Sequence, residues 1–181
     1  MRKEQDIIFK IIIPLLLIFL FSGRSLAADV KLLTNQEYLS LLQDKIRTAK
    51  EEILVSMYLF RTTENERNLS TRLREELVAA ASRGVKVAVL LEKEKRERKG
   101  SSLNEDNRHT AAILSRGGVK VYFDKPDVTT HTKLVVIDNR FVFIGSHNFS
   151  DSALGRNNEA SVMVDSSEMA GKAASFIKGI R

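Results

Sequence analysis

His131-Thr-Lys-Leu-Val-Val-Ile-Asp138 runs directly into Asn139-Arg-Phe-Val-Phe-Ile-Gly-Ser-His-Asn148, and this stretch decides the fold. Two short apolar, β-branched and aromatic runs flank an Asp-Asn pair, which predicts an antiparallel hairpin. On the first strand side chains alternate, so His131 and Lys133 share one side, expected to be the exposed or cleft side. Thr132, Leu134 and Val136 are expected to point the other way, into the protein. The second strand, Arg140 to Ile144, returns and ends at Gly145-Ser146. Ser146 and Asn148 therefore come back beside His131 and Lys133. The hairpin gathers an imidazole, an ammonium, a hydroxyl and a carboxamide at one end of a sheet. That set suits an anionic tetrahedral group: Lys supplies charge, Ser and Asn supply hydrogen bonds, and His can attack or carry a proton.

Working outward, the chain before the hairpin alternates strand and helix. Val30–Leu33 is an expected strand. Thr34 or Asn35 caps a helix to about Lys50, with Tyr38, Leu39, Leu42 and Ile46 on one face. Ile53–Phe60 reads as a buried strand, Leu69–Ser82 as a helix stopped by Gly84, and Val85–Leu91 as a strand. Glu92–Lys99 is a mixed charge run, read as a solvated loop or frayed helix. Its Arg96, Arg98 and Lys99 are candidates to touch the phosphates of a long substrate. A helix over 104–115 and a strand over 119–123 follow, and a loop at Pro126 delivers the chain to His131. After Asn148 a short turn leads to a strand over 158–164. Ser166 or Ser167 then caps a last helix with Met169, Ala173, Phe176 and Ile177 as its buried stripe. This order implies an α/β fold: one domain with a mixed β-sheet flanked by helices on both faces.

Composition bounds the rest. The 181 residues carry a formal charge of +6 and no cysteine, and the isoelectric point is near 9.6. Disulfides, thiolate catalysis and cysteine zinc sites are excluded, and polyanionic partners such as nucleic acid or acidic lipid are favoured. Residues 1–27 read as a secretory signal peptide: Arg2, Lys3 and Lys10, an apolar run over 11–21, then Ser25-Leu26-Ala27. The alternative is an uncleaved membrane anchor over residues 7–21, short against the ~20 residues a spanning helix needs. Residues 1–27 hold four basic and two acidic side chains, so 28–181 keeps a net +4. The protein is thus expected to be exported, periplasmic or secreted, with 28–181 as its working domain.

The spacing H-x-K-x4-D-x6-G-S-x-N at His131, Lys133, Asp138, Gly145, Ser146 and Asn148 resembles the signature of the phospholipase D superfamily. The resemblance implies a nuclease-like sandwich fold and phosphodiester hydrolysis without metal or cofactor. In-line displacement needs attack on one side of phosphorus and protonation on the other. The chain has one copy of the motif, and short members of the superfamily pair as homodimers. His131 of one copy would then form a phosphohistidine while His131 of the other acts as acid and then base. Lys133, Ser146 and Asn148 would hold the phosphate oxygens. The resemblance also places an acidic residue on the next strand to orient the histidine, and Glu159 fits that position. Asp138 and Gly145 are expected to be structural. His147, at the variable position, is expected to line the cleft or be exposed, and His109 to lie on the surface.

Three functions share these residues. A short, basic, exported chain most resembles the superfamily's bacterial endonucleases, acting on DNA, with RNA as a further substrate and no sequence preference. A phospholipase D acting on phospholipid head groups is the alternative, and a non-catalytic polyanion-binding module is a third. An apolar cleft rim would favour lipid; a basic rim carrying Arg61, Arg67, Arg96 and Arg98 would favour nucleic acid.

Overall fold

The computed structural model describes residues 28–96 and 99–180. The expected leader over 1–27, the alternative anchor over 7–21, and Glu97 and Arg98 of the charge run lie outside the described residues. In chain order the elements are β1 (Asp29–Thr34), α1 (Gln36–Thr48), β2 (Glu52–Met57), α2 (Leu69–Ser82), β3 (Lys86–Leu91), α3 (Leu103–Arg116), β4 (Lys120–Phe123), β5 (Lys133–Ile137), β6 (Phe141–Gly145), α4 (Asp151–Gly155), β7 (Ala160–Asp165) and α5 (Ser167–Ile180). The strands form one mixed sheet in the order β1-β7-β6-β5-β2-β3-β4. β2, β3 and β4 run parallel through the α2 and α3 crossovers. The remaining pairings are antiparallel.

The hairpin turn is built by Asp138 and Asn139, both at positive φ (51° and 47°). A two-residue turn of that kind matches the twist of the flanking strands, and Asp and Asn reach it at lower cost than other non-glycine residues. The Asp138 carboxylate also accepts the main-chain N–H groups of Lys50, Glu51 and Glu52 at 2.9, 2.8 and 3.2 Å. One side chain therefore fixes the turn and ties it to the start of β2.

Both faces of β5 are buried, because it is a central strand. This corrects the expectation of one inward and one open face. Val135 and Ile137 join the main core with Tyr38, Leu42, Leu73, Leu77, Leu114 and Phe143, which places α1, α2 and α3 on that face. Leu134 and Val136 face a smaller core with Leu54, Val142, Val164, Ala170, Ala174 and Ile177. Fully buried side chains such as Leu42 and Phe143 (both 0% exposed) each contribute about 1.5–3 kcal/mol.

The second face has one helix over it, and α5 buries Ala170, Ala174 and Ile177. The expected stripe is corrected here. Met169 and Phe176 are 45% and 52% exposed, because the small alanines bring the helix close to the sheet and the larger side chains flank it. Beyond α5 the face stays open: Val30, Leu32 and Ile144 are 56%, 68% and 48% exposed. Leu32, Val162 and Ile144 are cross-strand neighbours on this face. No helix among the described residues is long and apolar enough to cross a membrane.

Candidate active site

Three strand ends and one connecting segment meet at the site. β2 ends at Met57, and Tyr58–Arg61 continues as a polar-bonded segment between the two halves of the motif, where a longer strand to Phe60 was expected. Tyr58 N–H donates to the Thr132 carbonyl at 2.9 Å. Phe149 N–H donates to the Leu59 carbonyl at 3.0 Å, and Arg61 N–H to the Phe149 carbonyl at 2.8 Å. Residues 58–61 therefore stitch the His131 segment to the Asn148 segment. Asn107 of α3 supports this stitch from behind: its carboxamide accepts from Phe60 N–H and donates to the Tyr58 and Glu92 carbonyls.

His131 is exposed and lies just before β5, its ring edge packed on Tyr58 with centroids 4.5 Å apart. Lys133 is buried (8% exposed). Its ammonium donates to the His131 carbonyl at 2.9 Å and sits 4.9 Å over the Tyr58 ring. Partial burial, then the Lys133 charge, holds the His131 imidazole below its usual range. Both effects favour the neutral ring, the form that can attack. Burial pulls the Lys133 ammonium below its usual range, opposed by the Glu159 charge.

Gly145, at the end of β6, is required by close approach. A Cβ there would meet Ser161 Cα at 2.4 Å and the Ala160 carbonyl at 2.5 Å. Ser146 follows, exposed, its hydroxyl donating to Glu159 and accepting Ala160 N–H at 3.1 Å. Asn148 is half-buried, and its Oδ1 is enclosed without a hydrogen-bond partner. Buried polar atoms are rarely left so. That oxygen is an acceptor, so a group that pairs with it must bring a donor.

Glu159 lies just before β7. Its carboxylate bonds Ser146 and also accepts from Asn157 Nδ2 at 3.0 Å. Its charge acts on Lys133 and His147. The expected bond to the His131 ring is not formed here: the carboxylate is engaged by Ser146. Asn35 holds the Glu159 backbone, donating from its N–H to the Glu159 carbonyl and accepting Glu159 N–H on Oδ1, both at 3.0 Å. Asn35 does this at φ 49° and ψ −119°, where its side chain caps no helix N–H.

His147 is a correction: it is fully buried, not cleft-lining. Its Nε2–H donates to the Asn35 carbonyl at 3.0 Å, so the neutral ring accepts the Ser161 hydroxyl on Nδ1 at 2.7 Å. It stacks on Tyr38 at 4.2 Å, and burial keeps it below its usual range. The ring is a pillar linking β6, β7 and Asn35 behind Glu159. The charge run also needs correcting: Glu92 is buried (2% exposed) at the end of β3, whereas Arg96 and Lys99 are exposed. His109 is exposed, 3.8 Å from Glu64.

Sequence reading missed Tyr58, Asn35 and the burial of His147. Tyr58 sits within an apolar run that offers no local sign of a site. Asn at a strand-to-helix junction is a weak signal of positive φ.

The rim beside His131 is largely apolar. One groove of about 510 Å³ runs between His131, Lys133, Ile144, Met169 and Phe176, bordered by Lys172. A second, of about 310 Å³, is lined by His131, Val128 and Phe176 and bordered by Lys125. Arg61 is not free at the rim: it is paired with Asp106 at 2.7 Å and with Ser102.

This arrangement on a mixed sheet is that of a phosphate-handling site on a phospholipase D-like fold, and comparison with known proteins agrees. A family model described as cardiolipin synthase, PLD-like domain, matches residues 42–180. The chain belongs to the phospholipase D superfamily. It is 32% identical over 130 residues to a phospholipase D of Rickettsia bellii, covering 71% of this chain and 56% of that protein. The chain spans about half the length of the curated relatives it matches. The crystal structure of a phospholipase D family member, Nuc from Salmonella typhimurium, superposes with a TM-score of 0.68 at 22% identity. That match covers 85% of this chain and 94% of that one. NucT from Helicobacter pylori gives 0.65 at 21% identity, covering 85% and 96%.

Proposed function

We propose that the protein is an exported phosphodiesterase that works as a homodimer and hydrolyses nucleic acid, DNA first and RNA second, without sequence preference. One observation carries this reading. A single open imidazole, His131, stands beside Lys133 at the border of an uncovered apolar face, and the enclosed Oδ1 of Asn148, two residues past Ser146, has no donor. Among the described residues no second imidazole opens to the site, since His147 is enclosed behind Glu159. In-line displacement needs a second proton carrier, and a second copy supplies one. Contiguous apolar surface of this kind marks an interaction site, and a two-fold contact over Ile144, Met169 and Phe176 sets the two His131 rings toward each other.

In the reaction, a ring nitrogen of one neutral His131 attacks phosphorus and the bond to the leaving oxygen breaks. That oxygen takes its proton from the second His131, which enters the step as the imidazolium, so the working pair of rings carries one proton between them and the second ring is left neutral. Water, deprotonated by the second ring, then displaces the phosphohistidine. The Lys133 ammonium groups of both copies neutralise the phosphate oxygens, and the Asn148 side-chain N–H groups donate to them. Glu159 acts through Ser146 and through its field on Lys133. The net charge of +6 and the bordering Lys125 and Lys172 suit a phosphate backbone.

A phospholipase D reading is favoured by a specific observation, the apolar rim of Val128, Ile144, Met169 and Phe176. In the dimer that rim is taken up by the contact; in a monomer it would face acyl chains. Purified protein is incubated with plasmid DNA and with labelled phospholipid vesicles, each in EDTA. The expected result is nicking of DNA that survives the chelator and is abolished by His131→Ala. Cleavage of the phospholipid alone would replace the nuclease reading with the second one.

A further inference from the structure

Thr130, the residue before His131, is buried (5% exposed) at the end of a polar loop. Its N–H is held by two carboxyl groups. It donates to Glu92 Oε2, and to Asp124 Oδ2 at 3.2 Å. Glu92 and Asp124 follow the parallel neighbours β3 and β4, and are 2% and 5% exposed. Both carboxyls reach the same N–H, which sets them side by side. Asp124 Oδ1 also accepts Lys93 N–H at 2.8 Å. Two buried carboxylates in contact cannot both be charged cheaply, so one proton is shared between them.

On its other side His131 is fixed by Thr132, whose carbonyl accepts Tyr58 N–H and whose hydroxyl bonds Ser56 at 2.6 Å. The imidazole itself forms no hydrogen bond within the described chain. Its placement is therefore set by the Tyr58 ring, the Lys133 bond to its carbonyl and the two neighbours' anchors, one of which is the acid pair.

We propose that Glu92 and Asp124 are a proton-sharing positioning pair that clamps Thr130 and thereby aims His131, and that loss of the shared proton releases the clamp. For its consequence in catalysis the inference rests on the phosphodiesterase reading. Burial, then the neighbouring Asp124 carboxyl, pushes the Glu92 carboxyl up to about 7, against the Thr130 N–H, which favours the charged form. The charged groups acting on it are Asp124 after β4 and Glu94 on the loop after β3; Lys93, Lys95, Lys125 and Asp127 are neighbours in sequence on the same two loops. Lys95 is engaged by Asp127 at 2.5 Å. From α3, Asn107 donates to the Glu92 main-chain carbonyl and Asn104 bonds the Glu94 backbone, and His131 follows Thr130. The sign follows: below about pH 7 the proton is held and the clamp is closed. As pH rises through about 7, a second buried negative charge appears; the Thr130 N–H favours it, but repulsion from Asp124 drives the two carboxylates apart and the clamp opens. The pair's contribution to stability, in place below the ordinary 4.5, is lost over the same climb.

Glu92→Gln keeps an acceptor for Thr130 and a donor for Asp124 at every pH; Glu92→Ala removes both. The test records the Thr130 amide resonance of the full chain from pH 5.5 to 8.5, with hydrolysis of bis(p-nitrophenyl) phosphate at each pH. In the wild type the amide titrates near 7, and kcat falls over the same interval. Glu92→Gln abolishes the amide titration and extends kcat to higher pH. Glu92→Ala, folded by circular dichroism, lowers kcat at least tenfold at all pH. A Gln variant that keeps the wild-type amide titration, or a folded Ala variant with undiminished kcat, would overturn the clamp. A wild type that titrates at Thr130 but cleaves no phosphodiester upholds the clamp and removes the function reading instead.

Discussion

The Lys133 ammonium donates to the main-chain carbonyl of His131 at 2.9 Å, so the charge that binds phosphate also braces the residue that attacks it. Tyr58 supports both, its ring 4.5 Å from the imidazole and 4.9 Å from the ammonium. Lys133→Met keeps much of the buried stem but removes the charge and the brace. It is expected to lower kcat by about 10²–10³, in the range for loss of one charge-stabilising group. Tyr58→Leu is expected to cost about tenfold in kcat, a cation–π and positioning loss of about 1–2 kcal/mol. Steady-state hydrolysis of bis(p-nitrophenyl) phosphate, with circular dichroism as the folding control, checks both.

The histidines make a prediction in pH. The His131 and His147 rings are both held below the ordinary 6.5, His131 by partial burial and Lys133, His147 chiefly by burial. Their neutral forms are the ones the fold accommodates. Stability they contribute is therefore present above 6.5 and is lost as pH falls through their lowered values. Assigned ring C–H resonances should show both midpoints below 6.5, and urea midpoints should fall on the acid side. A midpoint above 6.5 for His131 would contradict its role as a neutral nucleophile.

Asp138 separates folding from chemistry. Its carboxylate holds three N–H groups at the far end of the hairpin from His131. Asp138→Ala is expected to lower stability by about 2–3 kcal/mol, the loss of hydrogen bonds to a charged group. At temperatures where the variant is folded, kcat should change less than about threefold. Denaturant unfolding and steady-state rates measure the two effects independently.

His147 should behave as a pillar. His147→Ala leaves the Ser161 hydroxyl and Asn35 carbonyl unpaired and a void against Tyr38. A stability loss of about 2–4 kcal/mol is expected. Activity should fall with it, because Asn35 loses the ring that backs its hold on Glu159. Unchanged unfolding midpoints would show that the network bears no weight.

These cases also show what the sequence made legible. The β5–β6 hairpin could be read, since alternating apolar residues and Asp138-Asn139 are local signals. So could the alternation of strand and crossover helix, and the helix face of Tyr38, Leu39, Leu42 and Ile46, all buried. The place of β1 at the sheet edge beside β7 could not, because that pairing joins residues more than a hundred positions apart. In α5, hydrophobic size suggested Met169 and Phe176 as core. Ala170 and Ala174 took that place because a helix on a sheet packs closest through small residues. Glu92 looked like part of a solvated charge run, and only the fold brings Asp124 and Thr130 to it. His147, Asn35 and Glu159 meet by the same long-range route. His131, Lys133, Ser146 and Asn148 could be singled out because they flank the two ends of one hairpin, whose pairing of Leu134 with Ile144 brings those ends together.

The shared site can be tested most directly by mixing. Wild-type protein is exchanged with an equal amount of His131→Ala protein, and total hydrolysis of bis(p-nitrophenyl) phosphate is measured against wild type alone. If each working centre needs His131 from two copies, mixed pairs are dead and the wild-type activity falls to about half. Activity unchanged by the inactive protein, under conditions where exchange is verified, would contradict the paired-histidine account.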